Sequence, residues 1–67
     1  MDAKFLKTLI GREIRFDYDD GNDIIFRRGK ISAVTSDTLI LDFFGSSQGY
    51  SISRITRFRI GGAVEHE

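Results

Sequence analysis

Glu13-Ile14-Arg15-Phe16-Asp17-Tyr18-Asp19-Asp20-Gly21-Asn22-Asp23-Ile24-Ile25-Phe26-Arg27-Arg28-Gly29-Lys30-Ile31-Ser32-Ala33-Val34 is the stretch on which the fold turns. Ile14, Phe16 and Tyr18 alternate with Arg15 and Asp17, the period of two that gives a strand one buried face. Asp19-Asp20-Gly21-Asn22 then concentrates turn formers around an Asp-Gly-like step, which predicts a hairpin connection. The following strand runs from about Asp23 to Val34, longer than usual, with Gly29 near its middle. A glycine there predicts a bend or bulge that changes the phase, Ile24 and Phe26 alternating before it and Ile31 and Ala33 after it.

Working outward toward the N-terminus, residues 2–10 read as one short helix. Asp2 caps the first turn, Phe5, Leu6, Leu9 and Ile10 make the apolar stripe, and Gly11 stops it. A helix this short is marginal alone and must dock on the sheet. Toward the C-terminus, Thr35-Ser36-Asp37 is a turn and Thr38 to Phe44 a strand with Leu39, Leu41 and Phe43 on one face. Gly45 to Gly49 reads as a flexible loop, Tyr50 to Ser53 as a fourth strand, Ser53 to Thr56 as a tight helical turn, and Arg57 to Ile60 as a fifth strand. The sum is a mainly β chain, a short N-terminal α-helix followed by a five-stranded antiparallel, strongly bent small barrel. Closure is expected because a flat sheet would leave two bare edges and a bare face. Residues 1–61 make a single domain, and 62–67 are expected to be a disordered tail.

The chain has 67 residues, 40% hydrophobic and 30% charged, with ten basic and ten acidic side chains and no cysteine. That balance is too apolar for a disordered segment and too charged for a membrane span, so no membrane is expected and the chain reads as cytoplasmic. So small a domain is usually supported by disulfides, a metal or association. Disulfides are excluded, and His66, the single histidine, reads as solvated rather than as a zinc ligand. A homo-oligomer is therefore expected, with no cofactor and no metal. Catalysis has little to stand on, because there is no cysteine nucleophile, no internal histidine and no glycine-rich phosphate loop.

The order of elements, with Gly29-Lys30-Ile31-Ser32-Ala33-Val34, Thr38-Leu39-Ile40-Leu41 and Tyr50-Ser51-Ile52-Ser53-Arg54-Ile55, resembles the Sm-like small barrels that include bacterial RNA chaperone rings. The resemblance spans residues 3–60 and lies in pattern more than in motif. It implies an SH3-like barrel that often forms rings and binds RNA through loop residues of the third and fifth strands. The chain departs from the family's base-contacting motifs. Gly29 fits, but Thr35 stands where an aspartate belongs, Thr38 or Leu39 where an asparagine belongs, and Ser53-Arg54 where the family has an arginine-glycine pair. Tyr50 to Gly61 is also similar to the small Rho-inhibiting barrels, which implies a protein-binding role instead.

Charge is unevenly spread. Residues 13–23 hold five acids and one base, 24–36 hold Arg27, Arg28 and Lys30 with no acid, and 54–60 hold Arg54, Arg57 and Arg59 with no acid. Neighbouring first and fifth strands would put Arg15, Arg57 and Arg59 on one outward face. Together these bases read as a phosphate-binding surface for single-stranded RNA or DNA, or else as exposed arginines that protect sheet edges. Asp17, Asp19, Asp20 and Asp23 fail the calcium-loop spacing, since counting from Asp17 puts Gly21 fifth and Arg28 twelfth. Phe44 and Tyr50 flank the glycine and serine loop and read as a subunit contact or, less favoured, a stacking platform for bases. Tyr18 and Phe26 read as core or its rim. The expected function is a non-enzymatic, self-associating binding module for single-stranded RNA or DNA. A protein-protein adaptor is the alternative.

Overall fold

The computed structural model describes residues 2–61, so the expected tail at 62–67 and the reading of His66 lie outside the described residues. Its elements are α1 (Ala3–Lys7), β1 (Glu13–Asp19), β2 (Ile24–Val34), β3 (Thr38–Phe43), β4 (Ser46–Ser51), a 3₁₀ turn (Ile52–Arg54) and β5 (Ile55–Ile60). The strands form one antiparallel sheet in the order β4-β3-β2-β1-β5. The mainly β architecture with a short leading helix is as the sequence predicts. The sheet, however, is not closed and is only loosely barrel-like: β4 pairs with β3, β5 with β1, and the 3₁₀ turn spans between them.

β2 makes the bend. Its first part pairs with β1 from Asp19↔Ile24 to Glu13↔Lys30, and its last part pairs with β3 from Lys30↔Asp42 to Val34↔Leu39. The strand therefore takes on β3 where it gives up β1, and Lys30 is the crossing point. Gly29 is not the bulge that the sequence predicts, since β1 and β2 stay in register through it. The register shift lies between Ile31 and Ala33. Gly29 is needed instead for close approach, because a Cβ there would lie 2.8 Å from the Asp42 carbonyl oxygen. The inward face before the shift thus carries Ile25, Gly29 and Ile31. Ile24 and Phe26 are exposed, which corrects the placing of Phe26 in the core or its rim.

Ile14, Phe16, Ile31, Leu39, Leu41, Tyr50, Ile52 and Ile55 fill the inner face, and Leu6 and Leu9 cover one end. α1 is shorter than expected and buries only Leu6, with Phe5 and Ile10 exposed. Asp2 does cap it, accepting from the Lys4 N–H at 3.1 Å, and Gly11 takes the left-handed conformation at φ +93°. The expected loop over Gly45 to Gly49 is a two-residue hairpin turn. Phe43 pairs with Ser46, and Phe44 and Gly45 both have positive φ, at +50° and +83°, the signature of a type I′ turn. Sequence missed it because phenylalanine rarely stands where asparagine or glycine is favoured.

Candidate functional site

β1 pairs with β5 through Ile14↔Ile60 and Arg15↔Arg59, and with β2 through Arg15↔Arg28. Directly opposed residues in an antiparallel ladder point to the same face, with Cα atoms about 4.5–5.5 Å apart. Arg28, Arg15 and Arg59 therefore form a row across three adjacent strands on the outer face, opposite the core. The Nε of Arg15, in the middle of the row, is buried and has no hydrogen-bond partner. Its stem runs over Gly61, where a Cβ would come within 3.2 Å of that nitrogen.

The ladder between β1 and β5 slips by one residue between Arg15 and Asp17. Arg57 sits in this bulge at φ +49°, and its Nε lies 3.9 Å from Asp17 Oδ2, the only ion pair among the described residues. Arg57 shares the outer face with Arg59 by alternation, and the bulge puts Thr56 rather than Arg57 opposite Asp17, leaving Arg57 beside the row. Lys30 belongs to the same face, but between Glu13 on β1 and Asp42 on β3. Arg54 stands elsewhere, in the 3₁₀ turn near the acidic hairpin, with an Nη1 that a Cβ on Gly21 would meet at 3.9 Å. The bases singled out in the sequence thus divide. Arg15, Arg28 and Arg59 make the row with Arg57 beside it, Arg27, opposite Phe16, lies off the row, Lys30 is flanked by acids, and Arg54 is apart.

The second feature is a cleft of about 550 Å³. It opens because the ladder between β2 and β3 stops at Lys30↔Asp42 while both strands continue. Phe26, Arg27 and Arg28 form one wall, Phe43, Phe44 and Gln48 the other, and Leu41 and Tyr50 line it as well, with no acid among its lining residues. Phe43 and Phe44 lie 4.5 Å apart between ring centroids, and the Arg28 guanidinium stands 5.6 Å from the Phe43 centroid, a cation–π arrangement. Arg27 Nη1 donates to the Phe26 carbonyl at 2.9 Å.

Phe44 is 91% exposed, as the sequence predicts. Tyr50 is corrected: only 8% exposed, its ring packs edge-on against Phe16 and Tyr18 at 5.4 and 5.0 Å, so it is a core residue and not an outward subunit contact. Phe43, expected to point inward with Leu39 and Leu41, is 42% exposed because it lies beyond the last β2–β3 pair. Sequence reading missed Phe26, Phe43 and Gln48 as cleft residues. The signal for Phe26 was its shared parity with Arg28, hidden by the misplaced phase change.

In the acidic hairpin, Asp20 Oδ1 accepts from the N–H groups of Asn22 and Asp23, both at 2.8 Å, and Asp19 Oδ1 accepts from Gly21 N–H at 3.0 Å. The N–H of Asp23 foremost, then that of Asn22, holds the Asp20 carboxyl below its ordinary value, with Arg27 and Arg54 adding to the effect. These carboxylates are turn formers. No helix among the described residues is long and apolar enough to cross a membrane. Compared with known protein families, with curated proteins and with solved structures, the chain matches none.

Proposed function

We propose that the chain is a non-enzymatic binding domain for single-stranded nucleic acid whose phosphates follow the arginine row of the outer sheet face. One observation carries this reading: Arg15 lies in register between Arg28 and Arg59, with its Nε buried and unpartnered. Like charges directly opposed across strands destabilise a sheet, and an unpaired buried donor adds a desolvation cost. A phosphate oxygen at this row would accept from the terminal nitrogens of the Arg15 guanidinium, whose Nε is covered, and screen all three cations; charge-assisted hydrogen bonds of that kind are strong. Arg57, on the same face beside the row, extends the positive surface. The five-stranded antiparallel order, with β5 beside β1, is in keeping with an Sm-like or SH3-like small barrel. Self-association belongs to the same proposal, since β4 and β5 each end the sheet with a backbone edge unpaired among the described residues.

The test is fluorescence anisotropy with labelled random-sequence single-stranded RNA and DNA at low and physiological salt. Saturable binding that weakens with salt is expected, and Arg15→Gln or Arg59→Gln should each lower the slope of log affinity against log salt by about 1. Arg15→Gln should also raise the melting temperature of the free protein, which a purely structural arginine would not do. A flat titration at high micromolar protein would replace this reading with that of a protein-binding adaptor. Sedimentation at one chain's mass would remove self-association.

A further inference from the structure

We infer that the cleft between β2 and the β3–β4 hairpin takes an unpaired base of the bound strand, which restricts the ligand to nucleic acid with exposed bases and excludes duplex. This rests on the polyanion reading of the arginine row and adds a second, chemically different contact to it.

Several features of the cleft point to a planar aromatic occupant attached to a phosphate. Phe26, Phe43 and Phe44 line it while remaining 49%, 42% and 91% exposed, so they present ring surface to solvent instead of burying it in the core. Phe44 holds its ring at the tip of a two-residue turn in a left-handed conformation, φ +50°, that a non-glycine residue adopts only at a cost. A glycine or asparagine would make the same turn without strain. Backbone strain retained at an exposed aromatic marks a site where the side chain is used.

Charge then selects the occupant. The lining residues include Arg27 and Arg28 but no acid, so an anionic group is accepted at the rim and a cationic one is not. Arg28 belongs to both features. Its guanidinium stands over the Phe43 ring inside the cleft, and it begins the row that continues through Arg15 and Arg59. A strand whose phosphates lie on that row is led by Arg28 to the mouth of the cleft. The volume of about 550 Å³ falls within the range of small-ligand sites and is far too small for a base pair with its backbones. Among the described residues the Gln48 amide and the Tyr50 hydroxyl have no hydrogen-bond partner, while their neighbours Ser47 and Ser51 bond to Asp42 and Tyr18. These two groups are available to a base edge. Stacking on the phenylalanines would supply the affinity and be tolerant of sequence.

The test compares three fluorescein-labelled probes of equal length in anisotropy titrations: a single strand, the same strand with abasic sites throughout, and the strand annealed to its complement. The single strand is expected to bind about five- to a hundredfold more tightly than the abasic strand and the duplex. Phe44→Ala should bring it to the abasic level with the salt slope unchanged, and Phe26→Ala should do the same from the opposite wall. Both side chains are exposed, and circular dichroism melts verify the fold of each variant. If single and abasic strands bind alike, and neither variant changes that, the cleft is not a base site, while the salt-dependent binding leaves the arginine row standing. If Phe44→Ala lowers the sedimentation mass of the free protein but not its affinity for the strand, the cleft holds a second copy of the chain and the inference falls. If no probe binds at all, the proposed function falls with it.

Discussion

Replacing Gly29 with alanine tests whether the bend of β2 rests on the approach of two backbones. Gly29 is buried opposite Ile14, one residue before Lys30 joins both β1 and β3. A Cβ at this position would lie 2.8 Å from the Asp42 carbonyl oxygen and 3.4 Å from Leu41 Cβ. The oxygen is backbone and cannot rotate aside, so β2 and β3 must separate or the Lys30↔Asp42 pair must open. Overpacking of this kind costs about 1–3 kcal/mol. The narrower unfolded ensemble of alanine offsets roughly 0.4–1 kcal/mol of that. A net loss of about 1–2 kcal/mol remains, which in a domain this small lowers the melting temperature by about 5–15 °C. Gly49→Ala is the control, since its Cβ would meet only Thr38 Cγ2 at 3.3 Å and Ile40 Cδ1 at 3.4 Å, the movable ends of side chains. It should stay within about 0.5 kcal/mol of the native protein. Thermal and urea unfolding followed by circular dichroism read both variants, and amide shifts of Lys30 and Asp42 locate the change. A Gly29→Ala protein that melts no lower than Gly49→Ala would refute the close-approach argument.

Other outcomes follow from single residues. Phe16→Ala empties the centre of the Phe16, Tyr18 and Tyr50 cluster and should cost about 3–5 kcal/mol, most of what a domain of this length has, so circular dichroism should find it largely unfolded at 37 °C. Tyr18→Phe removes the hydroxyl that accepts from the Ser51 N–H at 3.0 Å and should lower the urea midpoint by the equivalent of about 1 kcal/mol without changing the m-value. Phe44→Asn gives the turn the Asn-Gly pair that a type I′ hairpin favours, and the free protein should melt a few degrees higher, by about 1 kcal/mol or less. Asp20 has its folded pKa depressed, so its contribution is present above the ordinary aspartate value of 3.8 and is lost as pH falls through the lower folded value. A carboxyl NMR titration should give a midpoint below 3.8, and Asp20→Asn should flatten the pH dependence of stability in that acid window. A midpoint at or above 3.8 would contradict the hydrogen-bonded turn.

The strands were legible where one face is buried throughout. Ile14, Phe16 and Tyr18 in β1 and Leu39 and Leu41 in β3 alternate without interruption, and their period identifies both strand and face. β2 was harder because its residues change neighbours along the strand. Phe26 is exposed and Gly29 buried, so composition alone points the wrong way, and only the β3 partner reveals why a glycine is required. The β3–β4 turn was illegible for a local reason, since Phe44 occupies a left-handed position that its residue type disfavours. Leaving out that turn displaced β4, and with it Tyr50 moved from the core to the flank of an imagined loop. Of the candidate site, the outward grouping of Arg15, Arg57 and Arg59 needed only the adjacency of β1 and β5. The membership of Arg28 in that row, and the cleft beside it, depend on register and on where a ladder stops, and neither is written in any one segment.

The features that carry the proposed function are also those that oppose folding. Two like-charged cross-strand contacts, Arg15 with Arg28 and Arg15 with Arg59, cost about 0.2–1 kcal/mol each, and a left-handed Phe44 costs about 1–2 kcal/mol more. Together these approach roughly 2–3 kcal/mol in a chain whose whole stability is on the order of 3–10 kcal/mol. A ligand present at a hundred times its dissociation constant stabilises the native state by about 2.7 kcal/mol. The two quantities are of one size, so a ligand on the row and in the cleft would offset what the two together cost. Gly29 ties this balance to the fold, because the backbone approach it permits lets β2 pass from β1 to β3 at Lys30, and that transfer both seats Arg28 in the row and ends the ladder that would otherwise fill the cleft. Binding surface and bend therefore share one structural origin, and a change that straightens β2 should weaken both.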